Sequence, residues 1–354
     1  MRRVLVLVLA LTMIVSLLAG CGGKAETSGT ASKDAPAKQG RVYKITISHH
    51  DPESSATGTF LKNWAAAVEK ASGGRLDVQI FHGGVMGGVK ETLNLVKNKT
   101  VDIGWGGQAT YAGTFPLTDV VSLPLIGMKS AQHASRVMWE LYDTNSRLQA
   151  EYKDFKVILV HANCTAPISF SRLKVTTADD LAHLNIRANS GAPTNFINAL
   201  GATPVNVAMA ELFQALQNNT VDGVLTDWHG LYSFKLYEAV KYILDVPCYT
   251  NTFYFLMNKD SYNSLPDDLK AVIDEHSGWA ALDIMGTTFD DYEKMCREAV
   301  AKRGSDVFIK LSDKDYAVFL EAANKVAKDW IAKRGDAGQE IYDQTISLVK
   351  KHAK

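Results

Sequence analysis

LAHLNIRANSGAPTNFINALGATPVNVAMAELFQALQNNTVDGVLTDW, residues Leu181–Trp228, decides how this chain is read. A short apolar alternation, Leu184–Ile186, ends in Arg187. Asn189, Ser190 and Gly191 follow, then a helical pattern of Phe196, Ile197 and Leu200 that stops at Gly201. This is strand, polar turn, helix. It places a guanidinium at a strand end, close to a helix N-terminus whose first N–H groups lack intrahelical partners. Both features suit an anion, and a planar fork suits a carboxylate best. Taken alone, Arg187 also fits a structural salt bridge or an exposed position.

Outward from that stretch, strands and helices alternate. Val42–Ser48 is rich in β-branched residues and predicts a strand. Ser54, Ser55 and Thr57 are candidate caps for a helix whose apolar face is Phe60, Leu61, Trp64 and Val68, closed by Gly73-Gly74. Arg75–Phe81 and Val101–Trp105 predict further strands, separated by a glycine-rich turn and a helix carrying Leu93 and Val96. Helical patterns fill Ser130–Gln149. Lys156–His161 and Phe253–Met257 are apolar strands expected to cross between two domains, with Pro167–Arg172 opening the second. Thr177–Leu181 suggests a short capped helix. Gly223–Thr226 is a strand ending at Asp227-Trp228, and the chain from Asp267 onward is mostly helical. Over Val42–Trp105 such alternation implies an α/β domain with largely parallel strands. In open α/β sheets ligands lie beyond the carboxyl ends of strands. That rule picks out His49 and His50, Trp105–Gln108, and the turn Gly87–Lys90.

The stretch resembles the solute-binding proteins of TRAP (tripartite ATP-independent periplasmic) transporters. The residues that carry the likeness are Arg187, Ala199-Leu200-Gly201-Ala202 with Pro204, Glu211, Ala215-Leu216-Gln217 and Val221-Asp222-Gly223. Upstream, the GGR strand, VDIGWGG and FPLTDVVSLPLI (Phe115–Ile126) match as well, and Asn258-Lys259-Asp260 through Leu265-Pro266 resembles a further family segment. The likeness runs from about Tyr43 to the C-terminal helices. It implies a periplasmic-binding-protein-like, two-domain α/β (Venus flytrap) fold with long C-terminal helices. Domain I is expected over 42–164 plus 254–291, and domain II over 165–253 plus 292–354. By the same resemblance Arg187 grips a substrate carboxylate, and the closed form docks on a membrane permease driven by an ion gradient. The expected binding set is Arg187 and Ser190, with His50, Trp105, Gly107, Gln108, Met209, Thr226, Asp227, Trp228 and Phe253. Several of these also fit plain core or loop positions. The sialic-acid-binding members carry a second arginine near the position of Pro167 and an asparagine near the end of the VDG strand. Here the nearest arginine is Arg172, and Thr226, Asp227 and Trp228 fill the strand end. One arginine plus tryptophans suggests an aromatic or keto monocarboxylate; a dicarboxylate or organosulfonate stays open.

The first residues read as processing signals. Arg2-Arg3 precedes an apolar run, Val4–Leu18, too short to span a membrane and suited to a signal h-region. Leu18-Ala19-Gly20-Cys21 looks like a lipobox, with Cys21 acylated after loss of residues 1–20. Residues 21–41, rich in Gly, Ser, Thr, Ala and Lys, read as a flexible tether. The expected protein is exported, lipid-anchored and monomeric.

With 38 basic and 38 acidic residues in 354 and no basic stripe, nothing points to nucleic acid. There is no GxxxxGK[ST], HExxH, GxSxG or CxxC, so no enzyme, metal or cofactor is expected. His49-His50-Asp51 could supply metal ligands, but neighbours on a strand point to opposite faces. Cys164, Cys248 and Cys296 read as buried free thiols. Delivery of the ligand to a sensor kinase or chemoreceptor is the alternative function; an extracellular enzyme for small acids is a third.

Overall fold

The computed structural model describes residues 40–111, 113–304 and 307–353. The expected leader, Cys21 and the tether as far as residue 39 lie outside the described residues. Among the described residues nine strands form one sheet: β1 (Tyr43–Ser48), β2 (Leu76–Phe81), β3 (Ile103–Gly107), β4 (Phe155–Phe170), β5 (Asn185–Arg187), β6 (Thr203–Val205), β7 (Gly223–Leu225), β8 (Tyr242–Asn258) and β9 (Phe308–Ile309). Their order is β2-β1-β3-β8-β4-β7-β5-β6, with β9 beside the first half of β8.

The helices in chain order are α1 (Ala56–Ala71), α2 (Thr92–Lys97), α3 (Ala131–Thr144), α4 (Ser146–Glu151), α5 (Ala192–Ala199), α6 (Leu212–Gln217), α7 (Trp228–Ser233) and α8 (Leu236–Ala239). After β8 come α9 (Lys259–Asn263), α10 (Asp267–Glu275), α11 (Trp279–Met285), α12 (Thr288–Ala301), α13 (Asp313–Ala332) and α14 (Gly335–His352). No described helix is long and apolar enough to cross a membrane.

Local chemistry sets the boundaries. Ser55 Oγ accepts from Gly58 N at 3.0 Å and starts α1, which buries Phe60, Leu61, Trp64 and Val68. The helical pattern expected across Ser130–Gln149 breaks at Asn145. Its Oδ1 accepts from Arg147 N and Leu148 N and so starts α4.

The strands of Val42–Trp105 pair in parallel as expected, and the expectation for the crossing strands needs correction. The whole sheet is mixed: β1–β2, β1–β3, β5–β6, β5–β7 and β8–β9 are parallel, whereas β3–β8, β4–β8 and β4–β7 are antiparallel. The crossing strands are also far longer than the apolar runs suggested, 16 residues in β4 and 17 in β8. Pro167–Phe170 therefore continues β4. Polar residues such as Asn163, Thr165, Thr250 and Thr252 hid this continuity, although the sheet buries them all. A bulge breaks the β4–β8 ladder between Ala162 and Thr165. Strands β3, β1 and β2 extend the sheet at one end of this long pair, and β7, β5 and β6 at the other.

Candidate functional site

The site lies where strand ends from the two halves of the sheet face one another. It is a cavity of about 640 Å³, within the range of small-molecule pockets. Its walls come from the loop after β1 (His50, Asp51), the glycine turn after β2 (Gly83, Gly84), Lys90, and the end of β3 (Gly107). Across the cavity stand Arg187, Asn189 and Ser190 after β5, the segment Asn206–Glu211, Thr226 and Asp227 after β7, and Phe253 of β8.

Arg187 is placed by its strand. Ile186 and Arg187 pair with Pro204 and Val205 on one side and with Gly223 and Val224 on the other. The side chain is 6% exposed. Its Nε donates to the Val207 carbonyl at 3.0 Å, while Nη1 is buried without a hydrogen-bond partner among the described residues. Among the described residues no carboxylate lies within salt-bridge distance of it. Burial pushes its pKa down, and Tyr249 and Asp227 pull it back up. Arginine stays charged under any of these influences. The cavity wall therefore holds a cation with spare donor capacity. Beyond Ser190, Gly191 sits at φ 81° at the entry to α5, a conformation that suits glycine.

Asp227 and His229 occupy the start of α7. Asp227 Oδ1 accepts from Gly230 N at 2.8 Å, capping the helix, and from Asn163 Nδ2 at 3.1 Å. Its other oxygen has no hydrogen bond among the described residues. Burial raises the Asp227 pKa, countered by His229 and the Gly230 N–H. His229 lies between two carboxylates, with Nδ1 3.7 Å from Asp227 Oδ1 and Nε2 3.8 Å from Asp51 Oδ2. Asn163, on the β4 bulge, also meets His229 Nδ1 at 3.1 Å. Asp51 is tied down by the Thr57 hydroxyl at 2.6 Å. Burial would lift its pKa, yet the neighbouring His50, His229 and His49 and the Thr57 bond hold it below the usual value. His50 Nε2 stands 3.4 Å from Asp51 Oδ1, and burial lowers its pKa.

An aromatic stack backs this wall. His50 stacks on Trp105 at 5.5 Å, and Trp105 on Phe253 at 4.5 Å. Trp105 Nε1 donates to His161 Nε2 at 2.9 Å. Burial pushes His161 down to about 4, so it is a neutral acceptor at pH 7.

Of the residues expected from sequence, Arg187, Ser190, His50, Gly107, Met209, Thr226, Asp227 and Phe253 line the cavity. Trp105 does not line it and supports His50 and Phe253 from behind. Gln108 turns away, its Nε2 donating to Tyr152 Oη. Trp228 is buried elsewhere, with the Arg297 guanidinium 4.0 Å above its ring. Strand-end position alone could not separate these three, because consecutive residues alternate in direction. Asp51, His229 and Asn251 also line the cavity and were not expected as binding residues. Asp51-Pro52 after a strand and Asp227-x-His229 at a helix start were the signals available. Among the described residues no three His, Cys, Asp or Glu side chains converge as metal ligands would.

A guanidinium with an open donor, apolar surface from Phe253, Phe234, Met209 and Val207, and a polar far wall can hold a small anion with an apolar body. The profile of the family described as "Bacterial extracellular solute-binding protein, family 7" matches residues 47–334. The 2,3-diketo-L-gulonate-binding periplasmic protein YiaO of Escherichia coli (strain K12) is 21% identical over 282 residues, 79% of this chain and 84% of its own. A marine metagenome TRAP solute-binding protein specific for aromatic acid ligands, solved with 3-hydroxybenzoate, superposes with a TM-score of 0.83. It is 28% identical, covering 89% of this chain and all of that one. A TRAP solute-binding protein from Rhodoferax ferrireducens T118, solved with copurified benzoate, is 26% identical with a TM-score of 0.81. That match covers 88% of this chain and 99% of its own.

Proposed function

We propose that this chain, which belongs to the bacterial extracellular solute-binding proteins of family 7, captures a small organic acid whose carboxylate is clamped by Arg187. The observation that carries this reading is the buried Arg187 Nη1, without a partner, at the wall of the cavity. A buried cation left unpaired is costly, and a carboxylate supplies both the charge and two acceptors. Relatives solved with benzoate and 3-hydroxybenzoate, together with Phe253 and Phe234 in the lining, favour an aromatic monocarboxylate.

Capture proceeds by closure of two domains, 42–164 plus 254–291 and 165–253 plus 292–354, around the acid. The bulge between Ala162 and Thr165 supports a hinge there, because the ladder is already interrupted at that point. The closed protein hands its ligand to a TRAP-type, ion-gradient-driven permease. Cys21 carries a lipid that holds the exported, monomeric protein at the membrane through its tether. The binding protein performs no catalysis.

A thermal-shift screen tests the binding. Residues 24–354 are unfolded and refolded to strip copurified ligand, then mixed with aromatic, keto and aliphatic acids. An acid at about a thousand times its Kd adds about 4 kcal/mol to the folded state. One acid class should raise the melting temperature of the native sequence and leave Arg187→Ala unmoved. A shift that survives Arg187→Ala removes the clamp from the account.

A further inference from the structure

The cavity that Arg187 lines also holds buried polar groups that a simple carboxylate leaves unused. Asp227 is 4% exposed and lies in the cavity lining. Its Oδ1 is already engaged by Asn163 and Gly230, and its Oδ2 has no hydrogen bond among the described residues. His229, 3% exposed, receives the Asn163 amide at Nδ1, so its unbonded Nε2 carries the proton and points toward Asp51 Oδ2 at 3.8 Å, while His50 Nδ1 is unbonded among the described residues. Asp51, the second buried carboxylate of the lining, closes the group. Arg187 is the buried cation that shares the cavity lining with these two carboxylates. A ligand offering only an anionic head would satisfy Arg187 and leave the acidic group facing an apolar surface.

We propose that the ligand carries a second polar group, a hydrogen-bond donor, that is received by Asp227, with His229 and Asp51 behind it. This rests on the carboxylate reading of Arg187 and adds to it the chemistry of the ligand's other end. A hydroxyl and a protonated amine share that donor chemistry. Asp227 is the specificity-determining residue: a site built around an acceptor rejects an analogue that lacks the donor, because the acceptor is then left dry.

The test is calorimetric titration of refolded protein with three matched sets. These are benzoates bearing methyl, hydroxyl or aminomethyl at position 3, the same three at position 4, and the aliphatic set pentanoate, 4-hydroxybutanoate and 4-aminobutanoate. In at least one set the donor-bearing acid should bind about 10- to 100-fold more tightly than its methyl counterpart. Whether the hydroxyl or the amine wins identifies the donor. Asp227→Asn keeps the helix cap, since asparagine caps as well as aspartate, and should bring the ratio close to one. Methyl acids that bind as tightly as their donor-bearing partners in every set overturn the proposal while leaving the Arg187 clamp standing. So does a preference that survives in Asp227→Asn. Binding by no acid at all rejects both readings. If Asp227→Asn does not fold, the comparison of matched acids on the native sequence still decides.

Discussion

Replacing Arg187 by methionine separates a ligand clamp from a structural arginine, because the two roles predict opposite costs. Methionine keeps most of the apolar stem and removes the guanidinium. In the ligand-free protein this deletes one charged hydrogen bond, Nε to the Val207 carbonyl, worth about 1.5–3 kcal/mol. It also removes a buried charge whose Nη1 is unpartnered, which relieves a desolvation penalty of several kcal/mol. The two effects offset one another. The apo variant should fall within about 1 kcal/mol of the native protein, or above it. Breaking a buried ion pair would instead cost about 3–5 kcal/mol, but among the described residues no carboxylate is within salt-bridge distance of Arg187. Binding should move the other way. Loss of two charge-assisted bonds to a carboxylate, each about 1.5–3 kcal/mol, weakens affinity by about 100-fold or more. Urea denaturation of stripped protein reads the first quantity and calorimetric titration the second. A variant that loses 3 kcal/mol or more of apo stability yet retains its affinity refutes the reasoning.

Acid should destabilise the fold. Burial pushes His49 and His161 to about 4 from 6.5, so each contributes stability that is present above pH 6.5 and lost as pH falls through 4. Asp119, raised by burial to about 6, acts in the opposite sense and favours the fold as pH falls from 6 toward 3.8. For these three groups alone the balance is a loss of roughly 2–3 kcal/mol between pH 7 and 5; a pH dependence of the urea midpoint left unchanged by replacing His49 and His161 with glutamine contradicts the assignment. Gly106→Ala would place a Cβ 2.5 Å from Tyr254 Oη, inside a packed core, and should cost about 1–3 kcal/mol. Thermal melts unchanged from the native protein would show that Tyr254 yields freely. Cys164, Cys248 and Cys296 are free and buried, and burial raises each thiol. Residues 24–354 should therefore show no titratable thiol when native and three in denaturant; a single thiol in denaturant would reveal a disulfide.

Short-range chemistry made much of this fold readable before any coordinates. Ser55 and the Phe60, Leu61, Trp64, Val68 face announce α1, and the β-branched run announces β1. The long strands were harder, because β4 and β8 bury polar residues within the sheet and periodicity sees only their apolar ends. Tiny β9 pairs with β8 across more than sixty residues of chain, a contact that no local pattern encodes. Arg187 stood out because it is a lone charge at the end of an apolar strand. Asp51 and His229 did not, since their meaning lies in a meeting across 178 positions at 3.8 Å. Trp105 and Trp228 show the reverse: both sit near strand ends, but one is packed behind the cavity wall and the other under Arg297.

The most direct test is a crystal structure of stripped and reloaded protein with the tightest-binding acid from the screen. The account predicts a carboxylate within hydrogen-bond distance of Arg187 Nη1, with the body of the acid against Phe253. A carboxylate bound elsewhere in the cavity, with Nη1 still without a partner, would contradict it.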